Sequence, residues 1–122
     1  MRRRIRRAED FRVVMRAGSR AASRTLVVHA HGGRTSEPAR AGFVVGRSVG
    51  GSVIRHRVTR QLRHLMRVQL EGLPPGIDIV VRALPPAGPA TSAELSADLA
   101  SGVRRALSKL GHDARTVSAV SQ

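Results

Sequence analysis

The chain has 122 residues, 41% of them apolar, enough for one modest core and not for two. Lys and Arg number 22 against 8 acidic residues, a formal +14, so the folded chain repels itself and a polyanion is the expected partner, either nucleic acid or an anionic membrane surface. Cysteine is absent, which excludes disulfides and thiolate metal sites, and no apolar run reaches the roughly 20 residues that cross a bilayer.

Residues 1–7 hold Arg2, Arg3, Arg4, Arg6 and Arg7. No apolar stretch follows, so the segment does not read as a signal peptide. It is expected to be a flexible basic arm on a cytoplasmic protein. A short helix should follow. Glu9 and Asp10 suit its positive N-terminal end, Phe11, Val14 and Met15 give it one apolar face, and Gly18 closes it. Residues 19–23 can pair as a short strand, and Thr25–Ala30 reads as a longer one. Residues 31–38 are loop-forming, and Ala41–Gly46 is a further, nearly all-apolar strand.

The clearest helix runs from Ser52 to Leu70. At ~100° per residue, Ile54, Val58, Leu62, Leu65 and Val68 share one arc of ~120° and are expected to face the core. His56, Arg57, Arg60, Arg63, His64 and Arg67 share the opposite arc, with Arg55 outside it. Gly72 and Pro74 stop the helix, and Ile77–Arg82 reads as another strand. After a Pro-rich turn, Thr91 and Glu94 form a capping-box pattern ahead of Leu95, Leu99, Val103, Ala106, Leu107 and Leu110 at helical spacing. Gly111 ends that helix, and residues 112–122 read as a polar tail. The order predicts an α+β fold, one domain over residues 1–122, with a central sheet and helices packed on it.

The charge is segregated. Residues 1–67 hold seventeen arginines against Glu9, Asp10 and Glu37, and residues 68–122 are neutral. The scarcity of lysine, with Lys109 alone, fits a GC-rich genome, but composition bias does not segregate charge. Within the basic half, Arg47-Ser48-Val49-Gly50-Gly51-Ser52 leads from a strand into a helix whose first turns carry Arg55 and Arg57. Arginine there opposes the helix dipole unless an anion binds. Free N–H groups, glycines that admit a backbone and flanking guanidinium groups together suit a phosphate. The plainer alternative is a solvated helix face. Within Ser52–Leu70 no acid stands at i±4 to neutralise that arc.

This stretch resembles the RNR motif of the bacterial ribonuclease P protein family, K-x-x-G-x-A-V-x-R-N-R-x-K-R-x-x-R. Gly50, Val53, Arg55, Arg57, Arg60 and Arg63 match, Arg47 and Ser52 are mild replacements, and His56 and Thr59 depart from it. The resemblance extends over about residues 4–110. It implies an αβββαβα sandwich with a left-handed βαβ crossover. It also implies a motif helix facing a catalytic RNA through Arg47, Arg55, His56, Arg57, Arg60, Arg63 and Arg67, and a cleft for the 5′ leader of precursor tRNA lined by Phe11, Met15, Val27 and His29. His29 stands where the family commonly has Tyr and Met15 where it often has Phe, so base stacking in the cleft is expected to be weak. Phe11 suits core packing equally well.

On this reading the chain contributes no catalytic and no metal-binding residue. The RNA carries the active site and its Mg2+, and the chain is the accessory subunit of a tRNA-maturing endoribonuclease. Its partners are the ribonuclease P RNA and precursor tRNA, with no membrane and no stable protein partner. The main alternative is a non-catalytic basic RNA-binding module, ribosomal-protein-like or an RNA chaperone. A DNA-recognition helix and a membrane-surface helix fit less well, the second because the motif helix lacks lipid-seeking aromatics.

Overall fold

A computed structural model of the chain describes residues 3–33 and 37–111. The elements are α1 (Ala8–Ala17), β1 (Ser19–Ala22), β2 (Leu26–His31), β3 (Arg40–Val44), α2 (Ser52–Glu71), β4 (Asp78–Ala83) and α3 (Ser92–Leu110), with 3-10 turns at Arg47–Val49 and Pro85–Ala87. The four strands form one sheet in the order β1-β2-β4-β3. β1 and β4 flank β2 antiparallel, whereas β3 lies parallel to β4, with Arg40 opposite Asp78 and Val44 opposite Arg82. No helix among the described residues is long and apolar enough to cross a membrane.

Strand alternation divides the core in two. Leu26, Val28, Ala30, Ala41, Ile79 and Val81 point to one face, where α2 and α3 cover them with Val58, Leu62, Met66, Leu95, Leu99 and Val103. Gly102 lets α3 lie close, since a Cβ there would fall 2.5 Å from a methyl of Val28. α3 begins with the predicted capping box, Thr91 and Glu94 each bonding the other's backbone N–H, and ends at Gly111 in the left-handed conformation. On the other face α1 packs Val14 with Ile5 on Val80, and Phe11, Met15 and Val44 close round them. The ring of Phe11 lies against Gly42, where a Cβ would come within 2.5 Å of it.

Two expectations are corrected. The basic arm is not free from Arg3 onward. The backbones of Arg3 and Ile5 bond Ala41 along the outer edge of β3, and Ile5 is 2% exposed. Arg3 donates to the carbonyls of Ala39 and Leu70, so its charge meets the negative end of α2. Arginines need not be buried for this, because the pairing is made by the backbone and the plug is Ile5. Residues 1–2 of the expected arm and the tail 112–122 lie outside the described residues.

The second correction concerns α2. Its buried row is Val58, Leu62, Met66 and Leu70, whereas Ile54 and Val68 are exposed, Val68 at 69%. The core-facing side is therefore turned by roughly 80° from the expected arc. Apolar residues are spread over a wide sector of the helix, and the sheet and α3 select which part is used.

Below α1, three charged or polar groups stand close together on the sheet. His29 on β2 is 4% exposed, and neither ring nitrogen finds a partner among the described residues. Burial, then the guanidinium groups of Arg82 on β4 and Arg20 on β1, holds it below the ordinary imidazole value of 6.5. The helix side of this layer is apolar, made by Phe11, Val14 and Met15.

Two outcomes follow. Met66→Ala should cost about 2–5 kcal/mol in urea unfolding, and Val68→Ala should stay within about 0.5 kcal/mol. Equal losses would restore the sequence-based face. Because the folded chain holds His29 neutral, protons bind the unfolded chain more readily, and stability should fall as pH drops below about 6.5. His29→Phe should flatten the melting temperature between about pH 6.5 and pH 5. An unchanged pH profile would place the dependence elsewhere.

Candidate nucleic-acid interface

α2 is a crossover helix, and whatever it does not bury must face outward. Its solvent side carries Arg60, Arg63 and Arg67 with His56 and His64, all exposed. None of the three arginines has an ion pair or side-chain hydrogen bond among the described residues. No acid sits in the first or last turn except Glu71 at the end. The helix opens at Gly51, which supplies no side-chain cap, so the first N–H groups are left for an external acceptor.

The six arginines predicted for this site are not equivalent. Arg47 is exposed in the 3-10 turn that precedes α2. Arg57 lies at the edge of the basic arc, where its Nη2 donates to the carbonyl of Gly88. It thus ties the helix to the turn after β4 while its other N–H groups remain available. Arg55 leans to the sheet side of the helix and is half-buried, with an Nε that is buried and unpartnered. Arg60, Arg63 and Arg67 are the free cations of the face.

Two hollows flank the ridge made by His56 and Arg60. One, of about 570 Å3, is lined by Val45, Ser52, Arg55, His56, Thr59, Arg60 and Arg63. The other, of about 530 Å3, is lined by Ser52, Val53, His56, Arg57 and Arg60, and Val53 is 82% exposed. Sequence reasoning missed Ser52, Val45 and Val53 as lining residues. Val53 carried a signal, being apolar at the N-terminal end of a basic arc. Thr59, which replaces a basic residue of the motif, donates its hydroxyl to the carbonyl of Arg55 at 2.8 Å and so serves the helix itself. Arginine forks around a hollow of this kind grip phosphate, and an exposed apolar side chain beside them suits an unstacked base or a sugar.

The four residues assigned to a leader cleft lie on the α1 side of the sheet. They are unequally accessible. Phe11 and Met15 are half-buried over Val80. Val27 is 1% and His29 4% exposed, so both lie beneath the surface. Val27 pairs with Arg82, and His29 with Val80 and Arg20. Arg82 was missed. Its Nε is buried and unpartnered beside His29, and its place one strand over could be found only with the register in hand. Among the described residues, no three His, Cys, Asp or Glu side chains gather to hold a metal ion.

Comparison with known proteins agrees with this arrangement. The family model described as Ribonuclease P matches residues 1–107. The ribonuclease P protein component of Streptomyces avermitilis is 49% identical over 112 residues, covering 85% of this chain and 91% of that protein. That of a Nocardioides species is 52% identical over 98 residues, 79% of this chain and 84% of its own. Among solved structures, the RNase P protein of Staphylococcus aureus superposes with a TM-score of 0.78 at 25% identity, over 87% of this chain and 96% of that one. The fold is shared also by the Thermotoga maritima RNase P protein, with a TM-score of 0.73 at 24% identity, over 85% of this chain and 97% of that one. The RNR-like helix, the mixed sheet and the near-complete match in length converge, and the chain belongs to the bacterial ribonuclease P protein family.

Proposed function

We propose that this chain works as the protein subunit of ribonuclease P, with α2 held against the catalytic RNA and the α1 side of the sheet turned to the 5′ leader of precursor tRNA. The observation that carries this reading is the arc of Arg60, Arg63 and Arg67, exposed and with no ion pair among the described residues, on the helix that matches the RNR motif. Cleavage of the leader is assigned to the RNA. The acidic groups Asp10, Asp78, Glu94 and Asp98 are engaged with this chain's own arginines, hydroxyls and backbone. Mg2+ enters as an ion of the RNA and the substrate, and no step is assigned to a protein-held ion. The chain's part is to neutralise phosphates, to position two RNAs on one rigid body, and so to raise substrate affinity where Mg2+ is scarce. A ribonucleoprotein that matures tRNA belongs in the cytoplasm.

The site residues divide by task on this reading. Arg60, Arg63 and Arg67 hold RNA backbone, Arg47 and Arg55 border the phosphate hollow, His56 stands on the ridge, and Arg57 both contacts RNA and anchors the helix. Phe11 and Met15 offer the accessible apolar surface for a leader base, while Val27 and His29 form the floor beneath them.

If the face meets six to eight phosphates, the logarithm of affinity for the RNA subunit should fall with the logarithm of salt at a slope of about −5 to −7. Replacing Arg60, Arg63 and Arg67 together by Gln should make that slope shallower by about 2.5, with unchanged melting. An unaltered slope would move the contact off α2.

The decisive assay is cleavage of 5′-labelled precursor tRNA at low Mg2+ with a bacterial ribonuclease P RNA, with and without this chain. Restored cleavage at the mature 5′ end, and none without the RNA, is the expected result. Cleavage by the cognate RNA that is indifferent to the chain would favour the general RNA-binding module.

A further inference from the structure

The basic face of α2 carries two groups that are not permanent cations. His56 and His64 stand four residues before and four residues after Arg60, so one row of the helix reads His56, Arg60, His64 over about 12 Å. All three are exposed, and neither imidazole has a hydrogen bond or ion pair among the described residues. His56 borders both hollows. Arg57 and Arg63 lie three residues either side of Arg60, and Arg67 lies three beyond His64. The one acid of α2 is Glu71, seven residues beyond His64 and one turn beyond Arg67.

The elements packed against α2 are the 3-10 turn before it, β3 and α3, and among the described residues they bring no free acid to this row. The turn holds Arg47. Arg40 of β3 is held by Asp78 and Asp10. On α3, Glu94 and Asp98 meet Arg24 and Thr25, while Arg105 and Lys109 donate to carbonyls of β1. Arg104 is exposed. Both imidazoles therefore stand in a field of guanidinium groups, on the side of the helix that the fold leaves uncovered.

We propose that His56 and His64 are proton-dependent phosphate contacts, and that the α2 face takes up protons from solvent as it closes on the phosphodiester backbone of the ribonuclease P RNA. The inference rests on the proposed function, which puts that RNA against α2, and it adds His64 to the residues that hold it. Arginine keeps its proton across the physiological range, whereas imidazole ordinarily exchanges its own near pH 6.5. An anion within about 4–6 Å favours the charged ring. The charged ring donates from both nitrogens, where the neutral ring donates from one. A phosphate held by Arg60 has an imidazole one turn away on either side. The charge that α2 offers the RNA is then set by pH, with arginines alone at about pH 8 and up to two more cations at about pH 6.

The test is binding of the full chain to the RNA subunit, without substrate, across a salt series at about pH 6 and about pH 8. Melting of each sample separates loss of binding from loss of fold. Wild-type affinity should be higher at the lower pH, and the salt slope there should be steeper by up to about 1.4 to 1.8, the share of two phosphate contacts. His56→Gln with His64→Gln should give one slope at both pH values, close to the wild-type slope at the higher pH. His56→Arg with His64→Arg should give the steeper slope at both. If the wild-type slope does not change with pH, or the Gln variant keeps the change, the proton-dependent contacts are overturned, and the proposed function stands as long as wild-type chain binds the RNA with the slope given above. If wild-type chain fails to bind that RNA at either pH, the proposed function falls first and takes this inference with it.

Discussion

The parallel pairing of β3 with β4 governs the rest of the molecule. Two adjacent strands that run the same way cannot be joined by a hairpin, and the chain must cross back over the sheet. The crossing is α2, twenty residues long, between Val44 and Asp78. A helix in that position buries one row, here Val58, Leu62, Met66 and Leu70, and must present everything else outward. The arginines of the motif are therefore displayed on a rigid rod, fixed at its C-terminal end by Arg3 on the carbonyl of Leu70 and near its start by Arg57 on the carbonyl of Gly88. The register beneath it is pinned by Arg40, whose Nε and Nη2 hold the two oxygens of Asp78 at 3.0 and 2.8 Å, directly opposite in the parallel pair. Asp78 is nearly buried, so removing Arg40 would take the bidentate guanidinium from a carboxylate held out of water, which costs more than the pair itself contributes.

Sheet edges show the same economy. β1 and β3 are the outer strands, and a bare edge invites pairing with another chain. On β1 the carbonyls of Arg20 and Ala22 accept from Lys109 and Arg105 of α3. On β3 the segment from Arg3 to Ile5 lies along the edge and bonds Ala41. Both edges are covered by basic residues, and the covering adds charge rather than apolar surface.

Much of this was legible in the residues. The capping box of Thr91 and Glu94, the heptad-like spacing of α3 and the acid-led start of α1 are local signals, and local signals survive folding. The basic arc of α2 was legible for the same reason, as charge whose one acid at i±4 is Glu71 at the helix end has little internal use. What failed was tertiary. α2 is apolar over a wide sector, and only the sheet decides that Met66 is inside while Val68 is outside. The ordered segment at Arg3–Ile5 was hidden because the arginines mask a single apolar residue, and backbone pairing leaves no compositional trace. In the candidate sites, Arg82 beside His29 and Arg57 on Gly88 are separated by 53 and 31 residues of sequence, and only register and packing bring them together.

The acids complete the argument. Of eight in the chain, Asp10 and Asp78 meet Arg40, Glu94 caps α3 and pairs with Arg24, and Asp98 accepts from the hydroxyl of Thr25 at 2.6 Å. These are structural tasks, and they take up half of the acids that could have offset the arginines of α1 and α2. A protein that needed to be neutral would have placed acids on those helices at i±4, where each pair is weakly stabilising. Here only Glu71, at i+4 from Arg67, stands so, and most of the repulsion among the exposed guanidinium groups is left unopposed until phosphate arrives. Binding then gains twice, from the new contacts and from relief of that repulsion, and the gain should be greatest at low salt, where neither is screened.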